Sequence, residues 1–106
     1  MRQNTPWGRP QHERILAEGI ISYSTATHGG IWLSKDRQAQ LGYADNWLKD
    51  PAWWEEDCDW AVPYVAFRDD IQAHGTAFKF NENLSAAWRT IENYHHAFFA
   101  RFQKAA

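Results

Sequence analysis

The sequence predicts an α+β fold: a small antiparallel β-meander packed against helices, with a long amphipathic helix at its C-terminal end. Three observations predict it. Ile20-Ile21-Ser22-Tyr23-Ser24-Thr25 is rich in β-branched and aromatic residues and is preceded by a turn at Glu18-Gly19. Ile31-Trp32-Leu33 follows after the short connection Thr27-His28-Gly29-Gly30. From Leu84 onwards, Trp88, Ile91, Tyr94 or His95, Phe98 and Phe102 recur at three- and four-residue spacing, the stripe of an amphipathic helix.

Along the chain, Thr5-Pro6-Trp7-Gly8 and Pro10 read as turn or extended backbone, and Trp7 is expected to fold back onto the body as an anchor. Glu13 to Ala17 forms a first strand, and Ile20 to Thr25 and Ile31 to Leu33 complete the meander. The glycines between them are expected to supply positive φ. Ser34 is a good N-cap for a helix from Lys35 to Leu41 that stops at Gly42. Tyr43 to Lys49 reads as a short helix or turn, closed by Asp50-Pro51.

Residues 60–67 carry both periodicities. Trp60, Val62 and Tyr64 alternate as in a strand, whereas Trp60, Tyr64 and Phe67 share a helical face. Pro63 argues against a central strand and an unbroken helix alike. Acids at the start, which complement the helix dipole, tilt the balance towards helix. Arg68 to His74 extends it to Gly75, Thr76 to Asn83 is a loop or edge strand, and Asn83 caps the last helix.

A chain of 106 residues is read as one domain, 1–106, able to bury a modest core without staples. It carries seven Trp, more than so short a chain buries completely, so some should sit at a partner surface. The single cysteine excludes an internal disulfide, and neither a membrane span nor a secretory h-region is visible. A cytoplasmic location without membrane contact is expected.

The net charge of −2 hides an imbalance. Residues 45–72 hold eight acids against Lys49 and Arg68, a net −6, and the remainder is +4. An acidic segment repels nucleic acid and attracts basic surfaces. At its centre Trp53-Trp54-Glu55-Glu56-Asp57-Cys58-Asp59-Trp60 packs carboxylates among indoles. The expected partner-binding set is Trp53, Trp54, Glu55, Glu56, Asp57, Asp59, Asp69 and Asp70, with Glu55, Glu56 and Asp59 facing solvent.

Ser24-Thr25-Ala26-Thr27-His28-Gly29-Gly30 is the second motif. His28 at a glycine turn can project into a cleft, with Ser24 or Thr25 as hydroxyl donor or nucleophile and backbone amides facing an anion. The candidate catalytic set is His28, Glu55 and Glu56. Cys58 among four acids should have a raised thiol pKa and be a poor nucleophile. His28, Cys58 and the acids lack HExxH, CxxC or paired-histidine spacing, and no P-loop or GxGxxG is present, so neither metal nor cofactor is expected. Of His95 and His96, one should be core and the other solvent.

The succession Thr5-Pro6-Trp7-Gly8, Ser24-Thr25-x-x-His28-Gly29-Gly30 and Trp54-Glu55-Glu56-Asp57-Cys58-Asp59-Trp60-Ala61 resembles a family of small phage- and plasmid-encoded proteins without an assigned activity. The likeness spans roughly residues 5–67. What it implies is context: an accessory protein that blocks a host defence, as anti-CRISPR proteins do. The expected function is thus an inhibitor that binds a host protein or nucleoprotein complex through an acidic, Trp-anchored surface, without direct nucleic-acid contact. The alternative is a small hydrolase or transferase using His28 with a carboxylate from Glu55–Asp59. Large aromatics also leave a homodimer open. In either reading the two motifs should meet in space.

Overall fold

The computed structural model describes residues 4–103. Four strands, β1 (His12–Ala17), β2 (Ile20–Ser24), β3 (Gly29–Leu33) and β4 (Trp53–Glu55), form one antiparallel sheet in sequence order. Helix α1 (Lys35–Leu41) and the loop 42–52 are inserted before β4. Helices α2 (Ala61–Ala66), α3 (Arg68–His74), α4 (Phe80–Tyr94) and α5 (His96–Gln103) follow, with α2 against α4 and α3 against β1. The α+β meander-and-helix architecture is as the sequence predicts.

Register decides which side chains meet the helices. Ile20 pairs with Leu33, and Ile31 pairs with Trp54, so these four share one face. They join Val62, Val65, Ile71, Ile91 and Phe98 in a single apolar cluster. Trp54 is its largest fully buried side chain, and its Nε1 donates to the Pro51 carbonyl at 2.8 Å. On the opposite face Trp53 lies between Trp7, edge-on at 5.6 Å, and Tyr23 at 6.0 Å. Trp7 does fold back as an anchor.

The caps of α1 follow the sequence. Ser34 Oγ accepts from the Arg37 amide at 3.2 Å, and Gly42 ends the helix in the left-handed region at φ 59°. Gly75 ends α3 in the same way. Residues 61–66 are helical, with Pro63 in the first turn, where no intrahelical donor is required. The reason for helix differs from the expected one, however. The Asp59 side chain turns away from the helix, and α2 has no acid in its first turn.

Three expectations need correction. Gly29 and Gly30 lie within β3 and do not have positive φ. Glycine is required there by close approach: a Cβ on Gly30 would collide with the Trp54 carbonyl and the Trp7 indole, and one on Gly29 would come 2.7 Å from the Tyr23 carbonyl. The loop read to Asn83 gives way to helix at Phe80, and Asn83 Nδ2 donates to the Phe78 carbonyl at 2.7 Å instead of capping the helix. Finally, the C-terminal stripe is divided between two helices by His95, at φ −128° and ψ 63°. Its backbone leaves helical geometry where its imidazole enters a buried polar network.

Candidate functional site

The two sequence motifs meet through the sheet. Gly30 pairs with Glu55, and the Glu56 amide donates to the Gly29 carbonyl at 2.9 Å. Beside this junction opens a cleft of about 760 Å³, walled by His28, the loop 45–49, the turn after β4 and the α4–α5 break.

The floor of the cleft is formed by Asp59 and His95, and a hydrogen-bonded chain continues from them to Tyr43 beneath it. His95 Nε2 lies 3.0 Å from Asp59 Oδ1, and His95 Nδ1 lies 3.1 Å from the Tyr43 hydroxyl. The other Asp59 oxygen accepts from the Trp47 amide at 2.7 Å. Asp59 and His95 are 5% and 7% exposed. Burial of two such groups is tolerated because each polar atom has a partner. Asp59 and the Tyr43 hydroxyl thus occupy the two ring nitrogens between them. Both imidazole nitrogens are therefore engaged within the protein. Burial, reinforced by Asp45, raises the Tyr43 phenol above its ordinary range, although Arg101 opposes the rise. A phenolate nucleophile is disfavoured, and the chain acts as a clamp.

The clamp fixes a loop. Asn46 is buried, and its side chain bonds both ways with Asp50 and also donates to the Trp53 carbonyl at 3.0 Å. Lys49 takes a left-handed turn at φ 56°. Arg101 of α5 donates to the carbonyls of Leu41 and Gly42 at 3.0 and 2.8 Å, tying the loop's start to the C-terminal helix. On this held backbone Trp47 projects its ring outward, 81% exposed, and Tyr94 across the cleft is 68% exposed.

The remaining wall is acidic and poorly nucleophilic. Burial pushes the Glu55 carboxyl up; the Asp57 amide, which donates to it at 3.0 Å, resists, and the charges of Asp57 and Asp59 add to the rise. Burial also raises the Cys58 thiol, helped by Asp59, Glu55 and Asp57, in the direction expected from the sequence. Thr25 Oγ1 accepts from the His28 amide at 3.1 Å and donates to the His28 carbonyl at 2.8 Å, so this hydroxyl is occupied by its own turn. Among the described residues, no group of three His, Cys, Asp or Glu side chains could hold a metal ion.

The expected site residues separate. His28, Glu55, Asp57 and Asp59 line the cleft, whereas Glu56 lines a second one on the helix-facing side of the sheet. His28 Nδ1 stands 3.8 Å from Glu56 Oε1, an ion-pair distance with both groups about half exposed. Trp54 cannot anchor a partner because its indole is wholly inside the core. Trp53 is half-buried between Trp7 and Tyr23. Asp59, expected in solvent, is buried because the His95 ring and the Trp47 amide need its charge. Asp69 and Asp70 are on α3 outside the cleft, and Asp70 pairs with Arg37 at 2.7 Å.

The sequence reading places none of Trp47, Tyr94 and Tyr43 in a site; of His95 and His96, read as one core and one solvent, His95 is the buried one and His96 is exposed. Only His95 carried a signal: a polar ring on the apolar stripe, which needs a buried partner. Residues 1–106 match the family described as a domain of unknown function, DUF7007. The chain belongs to that family. No curated protein and no solved structure matches it. Among the described residues of this DUF7007 chain, no helix is long and apolar enough to cross a membrane.

Proposed function

We propose that the chain is a binding module that docks a basic protein surface into its acidic, aromatic cleft. One observation carries the reading: Trp47 is held out in solvent by a backbone that a buried carboxylate pins. An exposed indole on a fixed loop loses little freedom on binding and makes an effective anchor. Asp45, Glu55 and Asp57 around it outnumber Lys49, which favours a cationic partner. The anchors are thus Trp47 and Tyr94 in place of Trp53 and Trp54. The resemblance to phage- and plasmid-borne proteins extends the proposal to an inhibitor of a host protein or nucleoprotein complex with a basic surface.

Affinity capture from host lysate with wild type, Trp47→Ala and Glu55→Gln/Asp57→Asn tests it. Loss of an anchor ring removes about 2 kcal/mol or more, roughly a thirtyfold weaker Kd. The neutralised variant should lose association rate and salt dependence. A basic partner retained in full by Trp47→Ala would sink the reading.

A hydrolase or transferase is the second reading, favoured by His28 sharing the cleft wall with Glu55 and standing near Glu56. In that case His28→Ala abolishes turnover of a substrate while Trp47→Ala leaves kcat intact.

A further inference from the structure

The sheet has a face that the helices leave open. Strand alternation sends Ile20, Ile31, Leu33 and Trp54 towards the helices, so the residues between them point the other way. Register lines these up. Ile15 pairs with Ile21, Ile21 with Trp32 and Trp32 with Trp53, which sets one large apolar side chain from each strand in a row across the sheet. The open face of an antiparallel sheet is ordinarily polar. Here Ile15 is 52% exposed, and Ile21, Trp32 and Trp53 are half-buried.

The neighbouring row has a different character. Glu13 pairs with Tyr23, Tyr23 with Gly30 and Gly30 with Glu55. Its centre is closed: the Trp7 indole lies against Gly30 and edge-on to Trp53, and Tyr23 is buried. Its two ends are carboxylates, and no Lys or Arg occupies a strand position on this face. The face is thus an apolar stripe bordered by two acids. Trp7 and Glu55 also line the acidic cleft, so stripe and cleft share a border.

Charge selects the occupant. A second copy packed face to face would set two carboxylates from each chain around one apolar seam, with no base at a strand position to pair them. Like charges brought together oppose association, whereas a cationic partner is complementary. Geometry selects its form. Four strands about 4.8 Å apart make a row about 14 Å long. Helix residues three or four apart stand about 5–6 Å from each other on one side, close to the strand spacing, and about ten residues of helix cover the row. An extended segment would instead pair with a sheet edge through its backbone.

We propose that this face takes an amphipathic helix of the partner, its apolar side chains on the row Ile15–Ile21–Trp32–Trp53 and its lysines or arginines along one edge, facing Glu13 and Glu55. The inference rests on the chain being a binding module for a basic partner, and it names the element of that partner which is recognised.

The probe is a synthetic amphipathic leucine–lysine helix of about fourteen residues, titrated into the intact chain, with the same peptide carrying glutamate for lysine as control. Indole N–H NMR signals tell the two surfaces apart: Trp32 and Trp53 report the face, and Trp47 reports the cleft. Saturable shifts of Trp32 and Trp53 are expected with the lysine peptide at millimolar concentration or below, and none with the glutamate peptide. Ile15→Thr/Ile21→Thr preserves β-branching and should weaken binding about tenfold. Glu13→Lys, at an exposed position outside the core, should weaken it about threefold or more. Absence of saturable shifts, equal binding of the glutamate peptide, affinity unchanged by both variants, or self-association that Ile15→Thr/Ile21→Thr abolishes would each overturn the inference. Shifts confined to Trp47 overturn it while leaving the cleft as the docking site. Shifts of Trp32 and Trp53 that persist in Trp47→Ala sustain it, even where capture of a basic partner proves indifferent to Trp47.

Discussion

Removing the carboxylate of Asp59 should be among the most damaging single changes in this chain. Asp59→Ala takes a partner from the buried His95 Nε2 at 3.0 Å and from the Trp47 amide at 2.7 Å. Each buried group left unpaired costs about 1–3 kcal/mol. With about 1 kcal/mol for the bond to Trp47, whose donor is only part-buried, the loss is about 2–4 kcal/mol, a large share of the roughly 5–15 kcal/mol that stabilises a domain. Tyr43→Phe acts on the other imidazole nitrogen and is milder, about 1 kcal/mol, because the ring contacts with Trp54 and Phe98 remain. The two residues do not share a bond, yet both hold His95. The double variant should therefore depart from additivity by more than about 0.5 kcal/mol. Urea unfolding monitored by tryptophan fluorescence measures all three, with the slope m checked for constancy. A loss below about 1 kcal/mol for Asp59→Ala at unchanged m, or a strictly additive cycle, refutes the clamp.

Other substitutions distinguish core from surface and acid from base. Trp54→Ala should cost about 3–5 kcal/mol in urea unfolding, whereas Trp47→Ala should stay within about 0.5 kcal/mol, since only the first indole is inside the core. Glu55 has a folded-state pKa above its unfolded value, so its ionisation destabilises the fold above that pKa and has no effect below the unfolded one. Glu55→Gln should accordingly raise the melting temperature at pH 7, with the gain vanishing once the pH falls below the ordinary glutamate range; a gain unchanged at low pH contradicts this. Cys58 should react with iodoacetamide more slowly than free cysteine at pH 8, its rate still climbing above pH 9, because burial and three neighbouring carboxylates hold the thiol protonated.

The legible parts of this fold are those set by local chemistry. Ser34 and Gly42 bracket α1 because a hydroxyl N-cap and a left-handed C-cap act within one turn of backbone. The strands of the meander were legible from β-branched runs and the turn at Gly19. Two features depended on contacts far along the chain and were not. Gly30 looked like a turn residue, but its lack of a side chain is demanded by Trp7 and Trp54, which the meander and β4 bring across it. The unbroken C-terminal stripe hid a break, because the residue at which it breaks bonds to Asp59, far back in the sequence.

The same distinction explains why the acidic segment does not form one surface. Composition counts charges but carries no direction, and the fold sends these carboxylates to different destinations. Asp59 turns inward to His95 at the floor of the aromatic cleft, Asp70 pairs with Arg37, Glu56 faces the interlayer cleft, and Asp45, Glu55 and Asp57 line the walls of the aromatic one. The most conspicuous indole pair, Trp53-Trp54, obeys the alternation of a strand, which sends neighbours to opposite faces and one of them into the core. Trp47, isolated in sequence, has its amide held by Asp59 while its ring stands in solvent. The buried acid thus positions the exposed aromatic. If the cleft binds a partner, Asp59→Asn should weaken capture more than its exposed neighbours do, although its own carboxylate never reaches the surface.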